Sequence, residues 1–277
     1  MKNKKPTNLK SYSFIVLFLF VVCLPFFTEI MASIKTSSSI DKPFRLIPGK
    51  FISTSYSNIF DNTSSNSSFS KFLVNSFAIS SITTIVSIAI AFYAAYALAR
   101  IDFKGKKIVM GFFIAMLIVP PISIISPLYT LVKDMGIKNT DLALIIPYFS
   151  FTLPLAVLNL TLLFKRIPCD LEEAAIVDGA STNQAVMKIF LPLATPAILI
   201  TSIMVFVVSW GEYLFAMTIN NKDISRTATT ALSSQTGYGE IAAAATVIII
   251  PIILLVLIFQ KRIFYETIED SKTNRPL

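Results

Sequence analysis

The apolar residues of the chain form long uncharged stretches separated by short polar and basic segments. Six stretches without charged residues approach or exceed the length of a membrane crossing, and they lie at residues 11–28, 72–99, 108–132, 142–164, 189–211 and 241–260. A bilayer core about 30 Å thick is crossed by about 20 apolar residues in a helix. The stretches lack the alternation of barrel strands, and a lipid-exposed segment must satisfy its own backbone hydrogen bonds. The pattern therefore predicts an all-α integral membrane protein with six transmembrane helices.

Several of these stretches contain proline, which removes a backbone hydrogen-bond donor and favours a kink or a break. The prolines concerned are Pro120, Pro121, Pro127, Pro147, Pro154, Pro196 and Pro251. We therefore expect kinked or broken helices at these positions. Broken membrane helices occur where protein or a water-filled cavity satisfies the freed backbone groups, so these prolines are compatible with a transport pathway.

Lysine and arginine are distributed unevenly between the connecting segments. With a cytoplasmic N-terminus, 15 of the 24 basic residues lie on the cytoplasmic side, and five of the other nine lie in or beside a long outer loop at residues 33–71. Cytoplasmic loops of membrane proteins carry an excess of basic residues. The pattern predicts that both termini are cytoplasmic, as tails at residues 1–10 and 265–277. Residues 11–71 then form the first helix and the outer loop, and residues 72–264 form a core of five helices.

The first stretch has a second interpretation, as a cleaved signal peptide. Lys2 and the following lysines precede its apolar core, and the small-residue-rich segment Met31-Ala32-Ser33 follows it. Cleavage would leave five spans with the same orientation.

Composition and charge support a membrane protein and disfavour a nucleic-acid-binding one. Hydrophobic residues make up 54% of the chain and charged residues only 14%, whereas soluble domains carry about 25% charged residues. The net charge of +8 comes from short basic clusters between apolar runs. Such clusters fit membrane orientation rather than a phosphate-binding face, so we expect a lipid bilayer and no nucleic acid as partner.

The chain lacks the residues on which most catalytic and metal sites depend. It contains no histidine, and Cys23 and Cys169 have no partner at metal-ligand spacing. It also lacks the G-x-x-x-x-G-K-[ST] pattern of a nucleotide-binding loop. We therefore expect no metal, no cofactor and no catalytic residue here, and any ATP must be bound by another subunit.

The segment at residues 165–192, between the fourth and fifth stretches, carries the most specific local signals. Asp170 followed by Glu173 has the spacing of a capping box and predicts a helix that begins at Leu171. Gly179 then predicts a left-handed stop at the C-terminus of this helix.

A second capping box follows directly, in which Ser181 is paired with Gln184 and predicts the start of another helix. The segment is thus expected to form two short helices joined by a tight turn on the cytoplasmic face. Ala174 and Ala175 would let another backbone approach the first of them closely.

The same segment resembles the EAA loop of the binding-protein-dependent ABC permeases. Glu173-Ala174-Ala175 is followed after three residues by Gly179, and after nine more by Ile189-Phe190-Leu191-Pro192, which is the spacing of that family. The resemblance implies a coupling helix that docks on an ATP-binding subunit. It assigns this contact to Glu172, Glu173, Ala174, Ala175, Asp178, Gly179 and Ala180.

For Glu173 and Asp178, both a structural and a functional role are compatible with the sequence. Glu173 is expected either to cap the helix or to contact the partner, and Asp178 either to pair with a basic group of the partner or to face solvent. The resemblance further implies an importer that works by alternating access, with a dimer of ATP-binding subunits, a second related permease and an extracytoplasmic solute-binding protein as its partners.

A longer part of the chain, roughly residues 70–264, resembles the carbohydrate branch of this family, the maltose-type permeases. The resemblance is carried by segments such as 93–100 (YAAYALAR) and 135–140 (MGIKNT), and by Trp210-Gly211-Glu212-Tyr213, where Gly211 departs from the usual asparagine. It implies a sugar or oligosaccharide as substrate. An importer for a polyamine or another small polar solute is the alternative, because the EAA loop is shared. A secondary transporter or a membrane enzyme would need more charged groups within the spans.

Glu212 is the carboxylate that interrupts the fifth apolar stretch, and such a residue usually faces the protein interior or water. It is expected either to act near the outer end of the pathway or to make an interhelical hydrogen bond. Polar residues in spans more often bond between helices, and aromatic residues more often pack in a core. With both interpretations open, the candidate pathway residues are Glu212, Trp210, Tyr213, Tyr93, Ser80 and Thr84.

Overall fold

The computed structural model describes residues 9–35, 54–61, 69–220, 225–235 and 237–273, and all regular structure within these ranges is helical. The all-α class predicted from the sequence is confirmed. The α-helices are Leu9–Ser33 (α1), Thr54–Phe60 (α2), Phe69–Arg100 (α3), Lys106–Ile118 (α4), Pro121–Asp134 (α5), Leu142–Phe164 (α6), Asp170–Val177 (α7), Thr182–Ala185 (α8), Leu191–Trp210 (α9), Leu214–Ile219 (α10), Ala228–Ala231 (α11) and Tyr238–Thr273 (α12). A π-helical turn at Val186–Phe190 joins α8 to α9, and a 3₁₀ turn at Leu232–Ser234 follows α11.

Within the described ranges, five helical segments are long and apolar enough to cross a membrane. They coincide with the first, second, fourth, fifth and sixth stretches of the sequence, at Tyr12–Ser33, Phe69–Arg100, Leu142–Phe164, Thr182–Trp210 and Tyr238–Gln260. The third stretch forms α4 and α5, which meet at a bend of 96°. Counting this bent pair as one span gives the six spans predicted.

The break between α4 and α5 lies at the double proline. Pro120 has an extended conformation with ψ 131°, and Pro121 is the first residue of α5. A proline at the first helical position loses no hydrogen bond, and it disfavours a helical conformation in the residue before it. Helices continue through the other five prolines, so the expected break occurs only here.

The described residues group into two compact units, one within Met1–Phe69 and Ala231–Ile250 and the other within Ser70–Thr230 and Pro251–Leu277. In the first unit, hydrogen-bonding side chains of α2 contact both α1 and α12. The Tyr56 hydroxyl lies 2.8 Å from Ser33 Oγ, and Asn58 Nδ2 donates to Glu240 Oε1 at 2.9 Å. These contacts attach α2 to the end of α1 and to the start of α12.

Parts of the predicted outer loop and tails lie outside the described residues, namely residues 1–8, 36–53, 62–68 and 274–277. The boundaries expected at residues 10, 71 and 264 therefore stay predictions. The backbone of α12 runs past the last of them, to Thr273.

The second unit contains two hydrophobic clusters that are packed between its helices. One is built around Phe92, Phe164 and Phe190, with the rings of Phe164 and Phe190 perpendicular at 4.9 Å between centroids. The other includes Tyr148 and Phe215. These clusters fix α6 against its neighbours from one end to the other.

Polar side chains within the spans of the second unit bond between helices. Ser87 Oγ lies 2.9 Å from Thr152 Oγ1, and Asn159 Nδ2 donates to Thr201 Oγ1 at 2.8 Å. Hydrogen bonds of this kind hold helices together in a medium that offers no water. For these four residues, interhelical bonding is the interpretation that the structure favours.

Candidate functional site

The first helix of the segment at residues 165–192 is α7, and it begins at Asp170, one residue earlier than predicted. Cys169 already has a right-handed helical conformation, and its carbonyl accepts the amides of Glu172 at 2.9 Å and Glu173 at 3.1 Å. Asp170 therefore lies inside the first turn, where its carboxylate cannot cap the helix. The predicted Asp170–Glu173 capping box is wrong. The three acidic residues of this turn instead lie near the positive end of the helix dipole.

The C-terminus of α7 is the glycine stop that the sequence predicts. The amide of Ala180 donates to the Ala175 carbonyl at 2.9 Å, and the amide of Gly179 donates to the Ile176 carbonyl at 3.0 Å. This pair of bonds is a Schellman motif, in which the residue after the cap is left-handed. Gly179 has φ 91°, and a Cβ added to it would meet no described atom within 4 Å. Backbone conformation, rather than lack of space, requires glycine here.

The second capping box is confirmed. The amide of Gln184 donates to Ser181 Oγ, and Gln184 Oε1 accepts the amide of Ser181 at 2.9 Å. The helix that starts there continues through the π-helical turn Val186–Phe190 into α9. Single π-helical turns often occur at functional sites. The tight turn between two helices is therefore formed as expected, and its second helix is the start of the fifth span.

The surface of α7 is divided into a buried side and an exposed side. Glu172 and Ala175 are each 8% exposed and face the protein. The other predicted coupling residues, Glu173, Ala174, Asp178 and Gly179, are exposed, and Ala180 is half-buried. Apolar side chains are exposed beside them, at Leu171, Ile176 and Val177. Of the seven predicted coupling residues, Glu172 and Ala175 thus lie on the buried side of α7 and are not accessible on its surface.

Glu172 is held inside the protein by two residues of α3. Arg100 Nε lies 2.9 Å from Glu172 Oε1, and the Tyr96 hydroxyl donates to Glu172 Oε2 at 2.9 Å. Arg100 also lies over the ring of Phe190, with 5.1 Å between the guanidinium carbon and the ring centroid. Both carboxylate oxygens of this buried acid are therefore engaged within the chain.

Sequence reasoning named Arg100, Tyr96 and Phe190 only as parts of segments that resemble the family, and Arg100 also as a cytoplasmic basic residue. It did not place them around Glu172, which lies 72 positions after Arg100 in the chain. The available signals were an arginine at the end of one span and an extra acid before the EAA pattern. Nothing in the sequence pairs the two.

The six candidate pathway residues lie in different surroundings and do not form one cluster. Trp210 is buried and its ring stacks on Phe206 at 5.6 Å, whereas Tyr93 and Tyr213 are exposed. Ser80 is buried, and its carbonyl accepts the hydroxyl of Thr84 at 2.7 Å. Thr84 is the member of the six that lines a described cavity, whose volume is about 250 Å³. This cavity lies between α3, α9 and α12.

Glu212 follows the end of α9 and forms the entry to the short helix α10. Its carboxylate accepts the backbone amides of Phe215 at 3.0 Å and Ala216 at 3.2 Å, and its carbonyl accepts the Thr229 hydroxyl at 2.8 Å. Acidic side chains at this position satisfy amides that have no partner inside the helix. Glu212 is therefore a helix-capping residue in this structure, and its half-buried carboxylate also borders the second hydrophobic cluster through Phe215.

Comparison with known proteins identifies the family of this fold. The family described as "Binding-protein-dependent transport system inner membrane component" matches residues 87–264. The trehalose transport system permease protein SugB of Mycobacterium tuberculosis is 38% identical over 87% of this chain and 88% of its own length. The trehalose/maltose transport system permease protein MalG of Thermococcus litoralis is 35% identical over 70% of this chain and 72% of its own length.

The fold is also similar to that of a solved transporter. A bacterial ABC transporter involved in the import of the acidic polysaccharide alginate matches with a TM-score of 0.69 and 18% identity, over 91% of this chain and 95% of the other. The matched family region includes α7, Gly179 and the second capping box. The chain therefore belongs to the family of binding-protein-dependent transport system inner membrane components, as a multi-pass membrane permease.

Proposed function

We propose that this chain is the transmembrane subunit of an ATP-driven importer and that α7 is the element on which an ATP-binding subunit docks. The observation that carries this proposal is the exposed side of α7. Val177 is 87% exposed, with Leu171 and Ile176 also exposed and with the acids Glu173 and Asp178 beside them. An exposed apolar patch rimmed by charge is typical of a protein-binding site. A partner with an apolar cleft and basic edges would fit it.

The orientation of the chain follows from the distribution of basic residues. Both termini and the segment at residues 165–192 are cytoplasmic, where ATP is available to a dimer of nucleotide-binding subunits. A second, related permease completes the pathway, and an extracytoplasmic solute-binding protein delivers the substrate at the opposite face. ATP-driven closure of the nucleotide-binding dimer moves α7, and the spans switch between inward-open and outward-open states.

A carbohydrate is the proposed substrate. Two relatives, 38% and 35% identical over the aligned residues, are named for trehalose or for trehalose and maltose transport. This supports a sugar over a polyamine, which the shared cytoplasmic loop alone does not distinguish. No covalent step falls to this chain, because hydrolysis of ATP takes place on the separate subunit.

Reconstitution tests this function directly. The complete transporter in proteoliposomes is expected to take up radiolabelled trehalose or maltose only when ATP and the solute-binding protein are both supplied. Unlabelled disaccharide should compete with this uptake, whereas putrescine should not. Uptake without ATP, or competition by putrescine and not by any sugar, would refute the proposal.

We also propose that the cavity beside Thr84 forms part of the transport pathway and contacts the substrate. Its lining is mostly apolar and includes the ring of Phe206, while the hydroxyls of Thr84 and Ser202 donate to carbonyls of their own helices. The ring of Phe206 matches the apolar face of a sugar. Trp210 stacks on Phe206 beside this cavity, and for Glu212 the contacts support a role in positioning α10. A pathway role of Tyr213, Tyr93 and Ser80 stays a prediction.

The role of Glu212 can be tested with two substitutions. Glu212→Gln is expected to keep most of the uptake, because its amide oxygen can still accept the amide of Phe215. Glu212→Ala is expected to lower uptake several-fold, because removing a helix cap costs about 1 kcal/mol. Initial uptake rates at equal membrane levels would measure both. Equal losses in the two variants would show that the charge, rather than the cap, is needed.

A further inference from the structure

Arg100, the last residue of α3, contacts three separate segments of the cytoplasmic side. Its Nε lies 2.9 Å from Glu172 Oε1 on α7, and its Nη2 donates to the Ile167 carbonyl at 2.8 Å. Its Nη1 donates to Cys169 Sγ at 3.1 Å. The face of its guanidinium lies over Phe190, at the base of α9. One side chain thus joins a transmembrane helix to α7, to the connection before α7 and to the next span.

The ion pair between Arg100 and Glu172 is buried, with side chains that are 9% and 10% exposed. Removing one member of a buried pair leaves the other charge without compensation, and this is strongly unfavourable. The Tyr96 hydroxyl occupies the second carboxylate oxygen at 2.9 Å. The side chain of Glu172 is therefore contacted by two residues of α3 that lie one helical turn apart. These contacts fix the position of Glu172 along α3.

The short helix α7 depends on such an anchor. It has only eight residues, and isolated helices of this length are unstable in water. Of its residues, Glu172 and Ala175 are buried. The chain itself connects α7 to α6 and to α8, but α3 is reached through the side chains of Tyr96 and Arg100. A displacement of α7 is therefore passed directly to α3 through this contact, besides the route through the core rings of Phe164 and Phe190.

We propose that Arg100 and Glu172 form a positioning pair that transmits the displacement of α7 to the transmembrane helix α3 and, through Phe190, to the base of α9. This rests on the proposed function, in which α7 receives the ATP-binding subunit. The pair does not contact that subunit. It determines how much of the movement at the docking surface reaches the spans, and so how many sugar molecules are carried for each ATP hydrolysed.

The test uses the complete transporter in proteoliposomes, with uptake and ATP hydrolysis measured on the same sample. Arg100→Gln and Glu172→Gln are each expected to keep the ATP-binding subunit bound and to keep hydrolysing ATP. The number of sugar molecules carried per ATP should fall on the order of tenfold, within the range by which residues between coupled sites change coupling. The double variant should lose no more than the worse single variant, because the two residues act through one contact.

Lys165→Gln is the matched control, because it removes an exposed cytoplasmic charge from the same connection without breaking a buried contact. It should keep the wild-type ratio of sugar to ATP. Should the glutamine variants fail to reach the membrane, Arg100→Lys decides the question. Lysine keeps the charge but replaces the three nitrogens of Arg100, which separately contact Glu172, the Ile167 carbonyl and Cys169, with one, so a reduced ratio is expected.

Two results would overturn this inference. A wild-type ratio of sugar to ATP in the glutamine variants, or in Arg100→Lys if only that variant is made, would show that the contact transmits nothing. Release of the ATP-binding subunit would show that the pair only shapes the docking surface. Neither result touches the proposed function, which fails instead if changes on the exposed side of α7 leave association and uptake intact.

Discussion

Replacing Gly179 by valine is expected to lower sugar uptake at least about tenfold and to weaken the binding of the ATP-binding subunit. Gly179 has φ 91°, in the left-handed region, which costs an L-residue roughly 1–2 kcal/mol and more if it is β-branched. No described atom lies close enough to oppose the added carbon itself. The strain is therefore relieved by rotation of the backbone, which breaks the two hydrogen bonds at the end of α7 and turns Val177 and Asp178 away from their present positions.

Gly136 provides a matched control for this substitution. It also has a left-handed conformation, φ 70°, and it ends α5 with the same pair of backbone hydrogen bonds. Gly136→Val should therefore carry a similar backbone cost but leave the ATP-binding subunit bound, because it lies outside the coupling segment. Copurification of that subunit with each variant, at equal membrane levels, makes the comparison. Wild-type uptake by Gly179→Val would contradict the assignment of this turn to coupling.

Val177→Glu is expected to separate folding from coupling. Val177 is 87% exposed, so its replacement removes few contacts within the chain, and glutamate favours a helix more than valine does. The change does place a charge in the middle of the proposed docking surface, beside Glu173 and Asp178. Loss of a central apolar contact in an interface costs about 2 kcal/mol or more, which is about thirtyfold in affinity.

The expected result for Val177→Glu is a normally inserted protein that no longer retains the ATP-binding subunit and imports no sugar. Val177→Ile is the control, because it keeps the surface apolar and should behave like the wild type. Pull-down of the ATP-binding subunit from detergent-solubilised membranes measures the effect. Unchanged retention with Val177→Glu would place the docking surface elsewhere.

Local rules predicted those parts of the structure that depend on neighbouring residues. The uncharged stretches identify the spans because their length must match the bilayer, and the Gly179 stop and the Ser181–Gln184 box form as predicted because their partners are three to five residues apart. The first capping box failed for a reason that is also local. Cys169 adopts a helical conformation and moves the helix start to Asp170.

The contacts that the sequence could not predict connect distant parts of the chain. The pairing of Arg100 with Glu172, and the position of Phe190 over Arg100, depend on how α3, α7 and α9 pack. Each residue has an ordinary local explanation, as a cytoplasmic charge, an acid in the first turn or a core aromatic. Likewise, Pro120 and Pro121 predict a break but not its angle of 96°.

The six spans also differ in how much the rest of the chain covers them. Half of the most apolar part of α6 is buried, whereas the corresponding part of α1 has no buried residue. A helix that packs on few partners of its own chain exposes its apolar side chains to lipid or to another subunit. The helix α6 therefore lies at the centre of its unit, and it leads directly into the segment that holds α7.

Cross-linking at position 177 tests the central claim most directly. In a chain with Cys23→Ser and Cys169→Ser, the single cysteine of Val177→Cys should react with a membrane-impermeant maleimide only from the cytoplasmic side. In the assembled transporter it should be protected and should cross-link to the ATP-binding subunit. Reaction from the outer side, or full reactivity in the assembled complex without any cross-link to that subunit, would contradict the assignment of α7 as the coupling helix.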